Sequence, residues 1–177
     1  LFSRGNGGAI RLFLNYLSFA IFALFKIKKI QGPFDCIFVY QTSPVTVGIP
    51  AVFAKKVFKA PIYFWVQDLW PESLKAAGSI DNKFVLGLFN SLTIWMYNHS
   101  KKVLIQSNGF KEYILNQGIS NNKLVYYPNP TEEFYYPLTG IEEHSKFFKN
   151  KFFNIVFAGN IGEAQGFKTI IDAIALL

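Results

Sequence analysis

Four short apolar runs, each closing on a cluster of polar residues, constrain this chain most strongly. They are Asp35–Tyr40 (DCIFVY), Ile62–Val66 (IYFWV), Val103–Gln106 (VLIQ) and Leu124–Tyr127 (LVYY). Each has strand length and is apolar in a run rather than in alternation, which marks strands covered on both faces. Helix-length segments separate them: Val45–Phe58, with Gly48 and Pro50 near its start, then Lys83–His99 and Phe110–Gln117. Strand, loop and helix recur at roughly 25–30 residues, the spacing of right-handed βαβ units on a parallel sheet. The expected fold is therefore α/β, a Rossmann-like parallel sheet with helices on both faces.

In such a sheet the carboxyl ends of all strands share one edge, and ligands bind there. The polar clusters fall at those ends: Thr42-Ser43, Gln67-Asp68, Ser107-Asn108 and Asn129. The second is the most suggestive. Asp68 follows an apolar strand and is bracketed by Trp65 and Trp70, rings expected to lower the local dielectric around a carboxylate. An acid there serves as a base or positions a substrate hydroxyl; capping of the next helix is its plain structural alternative. Glu72, directly after Pro71, reads as well as a helix-start residue as a ligand-binding one.

Composition narrows the classes. Half of the 177 residues are apolar (51%), including 20 Phe and 9 Tyr, so the chain can bury a large core. Its length suits one ordinary domain or parts of two. Positive charge is concentrated early: 14 basic and 5 acidic residues up to Pro130, against 4 and 6 from Thr131 onward. That bias favours anionic partners such as a phospholipid surface or a nucleotide diphosphate. Nucleic acid fits poorly, because only two arginines are present and no basic-aromatic recognition pattern appears. The single cysteine, Cys36, reads as a buried structural thiol and excludes a disulfide framework. His99 and His144 are too far apart to suggest a metal cluster, and neither a nucleophile elbow nor a Walker lysine loop is present.

Ile10–Ile30 is apolar around nearly its whole circumference, with Lys26, Lys28 and Lys29 at its end. Its apolar run falls short of the ~20 residues that span a bilayer. Two readings stand together: a helix buried against the sheet, and a basic-flanked helix touching a membrane surface. The preceding Ser3–Gly8 (SRGNGG) reads as a turn, since no strand precedes it. The chain starts at Leu1 and stops within the apolar run Ile170–Leu177, which suggests a segment cut at both ends.

After Tyr136-Pro137 the character changes. Leu138–Lys151 is charged and aperiodic, the composition of a linker. Phe153–Ala158 (FNIVFA) then reads as a new strand, followed by the glycine-rich Gly159–Gly166 and a helix from Phe167. Strand, glycine-rich loop and helix form the arrangement whose backbone amides bind phosphate, although a plain tight turn gives the same pattern. The domain reading is 1–137, a linker over 138–152, and the opening of a second domain over 153–177.

Four segments together resemble retaining glycosyltransferases of family 4. They are Gln41–Ala51 (QTSPVTVGIPA), Phe64–Leu74 (FWVQDLWPESL), Pro128–Pro137 (PNP-x4-Y-x-P) and Phe153–Gly166 (FNIVFAGNIGEAQG), in order along nearly the whole chain. The likeness is strongest to the bacterial subgroup that adds amino or deoxy sugars to lipid-linked polysaccharide precursors. The resemblance implies the two-domain GT-B fold, with acceptor on the first domain and nucleotide-sugar donor mainly on the second. It implies front-face attack with retention, no cofactor and no metal. Asp68 then falls beside the anomeric centre, as catalytic residue. Thr42, Ser43, Gln67, Glu72, Ser107 and Asn129 fall on the substrate cleft. Gly159, Asn160, Gly162, Gln165 and Gly166 fall on the loop that meets the donor diphosphate. The wider family commonly has Arg and Lys in that loop, whereas neutral amides stand here and bring no charge to a phosphate.

The resemblance further implies a lipid-linked sugar acceptor, an anionic membrane surface and a place on the inner face of the cytoplasmic membrane. The family's Glu-x7-Glu motif would lie beyond Leu177, so the 177 residues alone are expected to turn over negligibly. Two rivals remain: a hexosamine epimerase on the same scaffold, and a non-catalytic membrane-associating module.

Overall fold

A computed structural model describes residues 9–76, 81–136, 153–159, 161–162 and 165–176. The chain divides into two compact units, Leu1–Pro128 and Asn129–Leu177. The Ser3–Gly8 turn and the linker reading over 138–152 lie outside the described residues.

The first unit runs α1 (Ala9–Ile27), β1 (Ile37–Gln41), a 3-10 turn (Val45–Val47), α2 (Gly48–Phe58), β2 (Ile62–Val66), α3 (Glu72–Ala76), α4 (Lys83–His99), β3 (Lys102–Ile105), α5 (Gly109–Asn116), a second 3-10 turn (Asn121–Lys123) and β4 (Leu124–Tyr126). The four strands form one parallel sheet in the order β1-β2-β3-β4. The expected α/β, Rossmann-like sheet flanked by helices is what the chain forms.

The register sorts the side chains into two faces. Val39, Phe64 and Val103 align across the sheet, as do Gln41, Val66 and Ile105. With Ile62 they form the buried face, closed by Val45, Val52, Met96, Tyr97 and Ile114. Phe64 meets Tyr97 edge to face at 5.5 Å, a geometry that adds about 0.5–1.5 kcal/mol to area burial. Gly48 opens α2 directly above Phe64; a Cβ there would stand 2.6 Å from the Phe64 ring and against Met96 Sδ. The glycine lets helix approach sheet.

The opposite face is aromatic. Tyr40, Trp65, Leu104 and Val125 align there, with Phe38 and Tyr63 paired nearer the start of their strands. Trp65 is ringed by Phe38, Tyr40 and Tyr127 at centroid distances of 5.1–5.8 Å, and its indole donates to the Tyr127 carbonyl at 2.9 Å. Phe38 and Tyr40 remain about half-exposed.

Helix ends follow local chemistry. Asn82 caps α4 by accepting from the Phe84 and Val85 amides at 2.9 and 3.2 Å. At the other end Lys55 donates to the His99 carbonyl and Lys123 to those of Tyr97 and Asn98. Two cations thereby meet the negative end of the helix dipole. One sequence expectation is corrected by the structure. Cys36 is exposed, because β1 begins one residue later and leaves the thiol in the approach to the strand.

In the second unit, 153–158 has no regular secondary structure, contrary to the strand expected there. A strand needs a neighbour to satisfy its ladder, and no described residue of the unit supplies one. Phe153 is almost fully exposed in consequence. The helix expected from Phe167 is present as α6 (Phe167–Ile174).

Candidate active site

Three glutamines mark the carboxyl ends of the first three strands and stitch their loops together. Gln41, the last residue of β1, is fully buried and its amide donates to the Thr42 carbonyl at 3.2 Å. The Gln67 backbone N–H donates to the Gln41 carbonyl at 2.9 Å. Gln106 Nε2 in turn donates to the Gln67 carbonyl at 3.1 Å. Gln41 Oε1 is buried without a hydrogen-bond partner among the described residues, an uncommon state for a buried acceptor. This row fixes the positions of the residues above it.

Above the row, Ser43 Oγ donates to Asp68 Oδ2 at 2.8 Å. Adjacent parallel strands deliver the two residues, so pairing of β1 with β2 sets their separation. A hydroxyl donating to a carboxylate is a charge-assisted hydrogen bond. It fixes the rotamer of Asp68 and leaves the carboxylate with spare acceptor capacity for a ligand hydroxyl. Asp68 is half-buried and Ser43 exposed, so the pair is open to solvent on one side.

The tryptophans that bracket Asp68 in sequence are committed elsewhere. Trp65 belongs to the aromatic sheet face, and Trp70 is buried against Phe89, ring to ring at 5.3 Å. Their ring contacts are with those aromatics, and the hydrogen-bond partner of Asp68 is Ser43. Period-two alternation explains Trp65: residues before and after it face the core, so it cannot.

Glu72 opens α3 and accepts from the Tyr113 hydroxyl at 3.1 Å and from Lys75 Nζ at 3.4 Å. Tyr113 sits on α5, 41 residues away, and its phenol is pushed up to about 12. Burial is the largest cause, followed by the Glu72 charge and the hydrogen bond to that carboxylate; a hydrogen bond from Gln117 opposes them. Glu72 therefore ties α3 to α5 at the edge of the site. Neither Tyr113 nor Gln106 carries a local signal that sequence reasoning could have used. Only the fold brings Tyr113 to Glu72.

The remaining expected positions separate into groups. Ser107 accepts from the Gly109 N–H at 3.2 Å, holding the first turn of α5. Thr42 is exposed beside Ser43. Asn129 is exposed and opens the second unit. Within that unit Phe157 packs edge-on against Phe167 at 4.8 Å and draws together the two ends of the glycine-rich loop. Gly166 adopts a left-handed φ of 61° just before α6, with nothing near its missing Cβ. Its glycine is a backbone requirement. The Gln165 N–H donates to the Gly162 carbonyl at 3.2 Å, whereas Asn160 lies outside the described residues. Among the described residues no group of three His, Cys, Asp or Glu stands together as a metal site.

No protein-family model, curated protein sequence or solved structure matches this chain.

Proposed function

We propose that this chain is part of a retaining glycosyltransferase that moves a sugar from a nucleoside-diphosphate donor to a lipid-linked acceptor in cell-surface polysaccharide assembly. The observation that carries the reading is the Ser43–Asp68 hydrogen bond of 2.8 Å at the carboxyl edge of the parallel sheet. It joins two of the segments whose sequence resembles family 4 transferases, at the edge where open α/β sheets bind ligands.

In this reading Asp68, preset by Ser43, orients a sugar hydroxyl beside the reacting carbon. The acceptor hydroxyl attacks from the face that the diphosphate leaves, so configuration is retained. Thr42, Gln67, Glu72, Ser107 and Asn129 would serve the substrate. Backbone amides of Gly159–Gly166 would meet the departing diphosphate and stabilise charge as it develops. The site of action would be the inner face of the cytoplasmic membrane, where lipid-linked precursors are held; no described helix is long and apolar enough to cross a membrane.

The test is release of nucleoside diphosphate from a panel of nucleotide sugars, with and without a polyprenyl-diphosphate sugar acceptor. It uses the protein expressed over its whole open reading frame. Acceptor-dependent release that falls at least ~100-fold in Asp68→Asn is expected for loss of a transition-state contact. Wild-type turnover in that variant would overturn the role of Asp68. Acceptor-independent consumption of the donor would instead indicate an epimerase or hydrolase.

A further inference from the structure

Helix α1 is apolar around most of its circumference, yet much of that surface is exposed. Ala20 and Ile27 are buried where the helix meets α2 and the Val45–Val47 turn. Elsewhere on the helix Leu14, Ile21 and Phe25 follow at spacings of seven and four, one stripe of a helix, with Phe22 beside them. They are 38%, 42%, 72% and 49% exposed. Surface helices ordinarily turn charged residues outward, and a helix apolar all round is otherwise found in a core or a membrane.

The polar residues of α1 sharpen the point. Ser18, among those apolar side chains, is 7% exposed and donates to the Asn15 carbonyl at 2.9 Å, the backbone bond that Ser and Thr make within helices. Lys26, Lys28 and Lys29 crowd the carboxyl end and are exposed. The first 34 residues hold five basic residues and no acidic one. Adjacent α2 repeats the combination, with Phe53 and Val57 exposed and Lys56 Nζ 5.9 Å above the Phe53 ring.

We propose that the outward face of α1 lies in the headgroup region of an anionic phospholipid bilayer, helix axis parallel to the surface, with Phe22 and Phe25 in the acyl boundary and Lys26, Lys28 and Lys29 on lipid phosphates. Apolar side chains beside a lysine cluster are the pattern of interfacial helices, for which insertion and charge add. The helix lies in the surface rather than through it, since no described helix is long and apolar enough to cross. A second copy of the chain fits worse, because the first 34 residues offer the lysine cluster no acid to pair with. The inference stands on α1 and does not depend on the transfer reading.

Flotation of the chain with lipid vesicles tests it, because aggregated protein stays at the bottom of the gradient. The chain is expected to float with vesicles of phosphatidylcholine containing about one-third phosphatidylglycerol, and far less with phosphatidylcholine alone. Salt at about 0.5 M should weaken the association, as the Debye length contracts. Phe22→Asp/Phe25→Asp should lower the bound fraction at least ~tenfold, while Phe25→Trp keeps it. Replacing Lys26, Lys28 and Lys29 by Gln should abolish the preference for anionic lipid. Circular dichroism checks that each variant is folded. Absence of flotation, or unchanged flotation of the folded Phe22→Asp/Phe25→Asp chain, overturns the proposal. A concentration-dependent dimer lost in that double variant, without flotation, overturns it in favour of self-association.

Discussion

Asp68 and Ser43 are 25 residues apart in sequence and 2.8 Å apart in space. Each is legible in the sequence as a polar residue at a strand end; that they form one unit is not, because strand adjacency is a property of the sheet. If Ser43 presets Asp68, then Ser43→Ala should lower kcat/KM about tenfold, the loss of one charge-assisted hydrogen bond, with unchanged circular dichroism. An unaltered rate would mean that Asp68 holds its rotamer unaided. Gly48 teaches the converse lesson. It sits in the QTSPVTVGIPA segment that carries the family likeness, yet its role is packing, with the Phe64 ring 2.6 Å from where a Cβ would stand. Gly48→Ala is expected to shift the urea midpoint by the equivalent of about 1–3 kcal/mol, the cost of overpacking a filled core.

At the scale of elements, apolar runs locate the strands well wherever a neighbour pairs with them. The expected Ile62–Val66 is β2 to the residue, flanked by β1 and β3. Phe153–Ala158 has a comparable apolar run and forms no strand, since pairing is not encoded in the run itself. Two contacts between elements lead to measurable effects. Lys123 joins the last turn of α4, donating to the Asn98 carbonyl at 2.6 Å. Burial, and then the like charge of Lys55, pull its ammonium below the usual lysine range, so the protein gives back part of what the hydrogen bonds contribute. Lys123→Met should therefore cost only about 1 kcal/mol, at the lower end for a charged donor, measured by urea unfolding near neutral pH. The Tyr113–Glu72 contact between α5 and α3 has a pH signature. An unfolded tyrosine loses its proton near pH 10, whereas Tyr113 in the fold holds it to about 12. Over that window the folded state binds more protons, so stability is fully present below pH 10 and falls as pH rises through 12. Tyr97 adds to the same slope, because burial also raises its phenol. Tyr113→Phe should flatten the decline without abolishing it, as followed by denaturant midpoints with tyrosinate absorbance as the titration signal.

For the molecule as a whole, the question is which part of the chain the fold requires. Among the described residues, every member of the central core cluster, and every hydrophobic side chain packed on it, lies between Ile37 and Leu124. The sheet ends at Tyr126, and the first compact unit ends at Pro128. The described apolar side chains of the second unit, from Phe153 to Ile174, are largely exposed. Cooperative unfolding follows the shared core, so a chain ended after Tyr136 should keep the urea midpoint and slope of the whole to within ~10–15%. The slope is the more telling readout, because it scales with the surface exposed on unfolding. If the second unit formed part of the same cooperative core, its removal would lower midpoint and slope together. If its removal leaves both in place, the Ser43–Asp68 pair and the Glu72–Tyr113 contact persist in the shortened chain. Tyr113 would then still titrate near 12, which a tyrosinate absorbance titration of the shortened chain, set beside its Tyr113→Phe variant, measures directly.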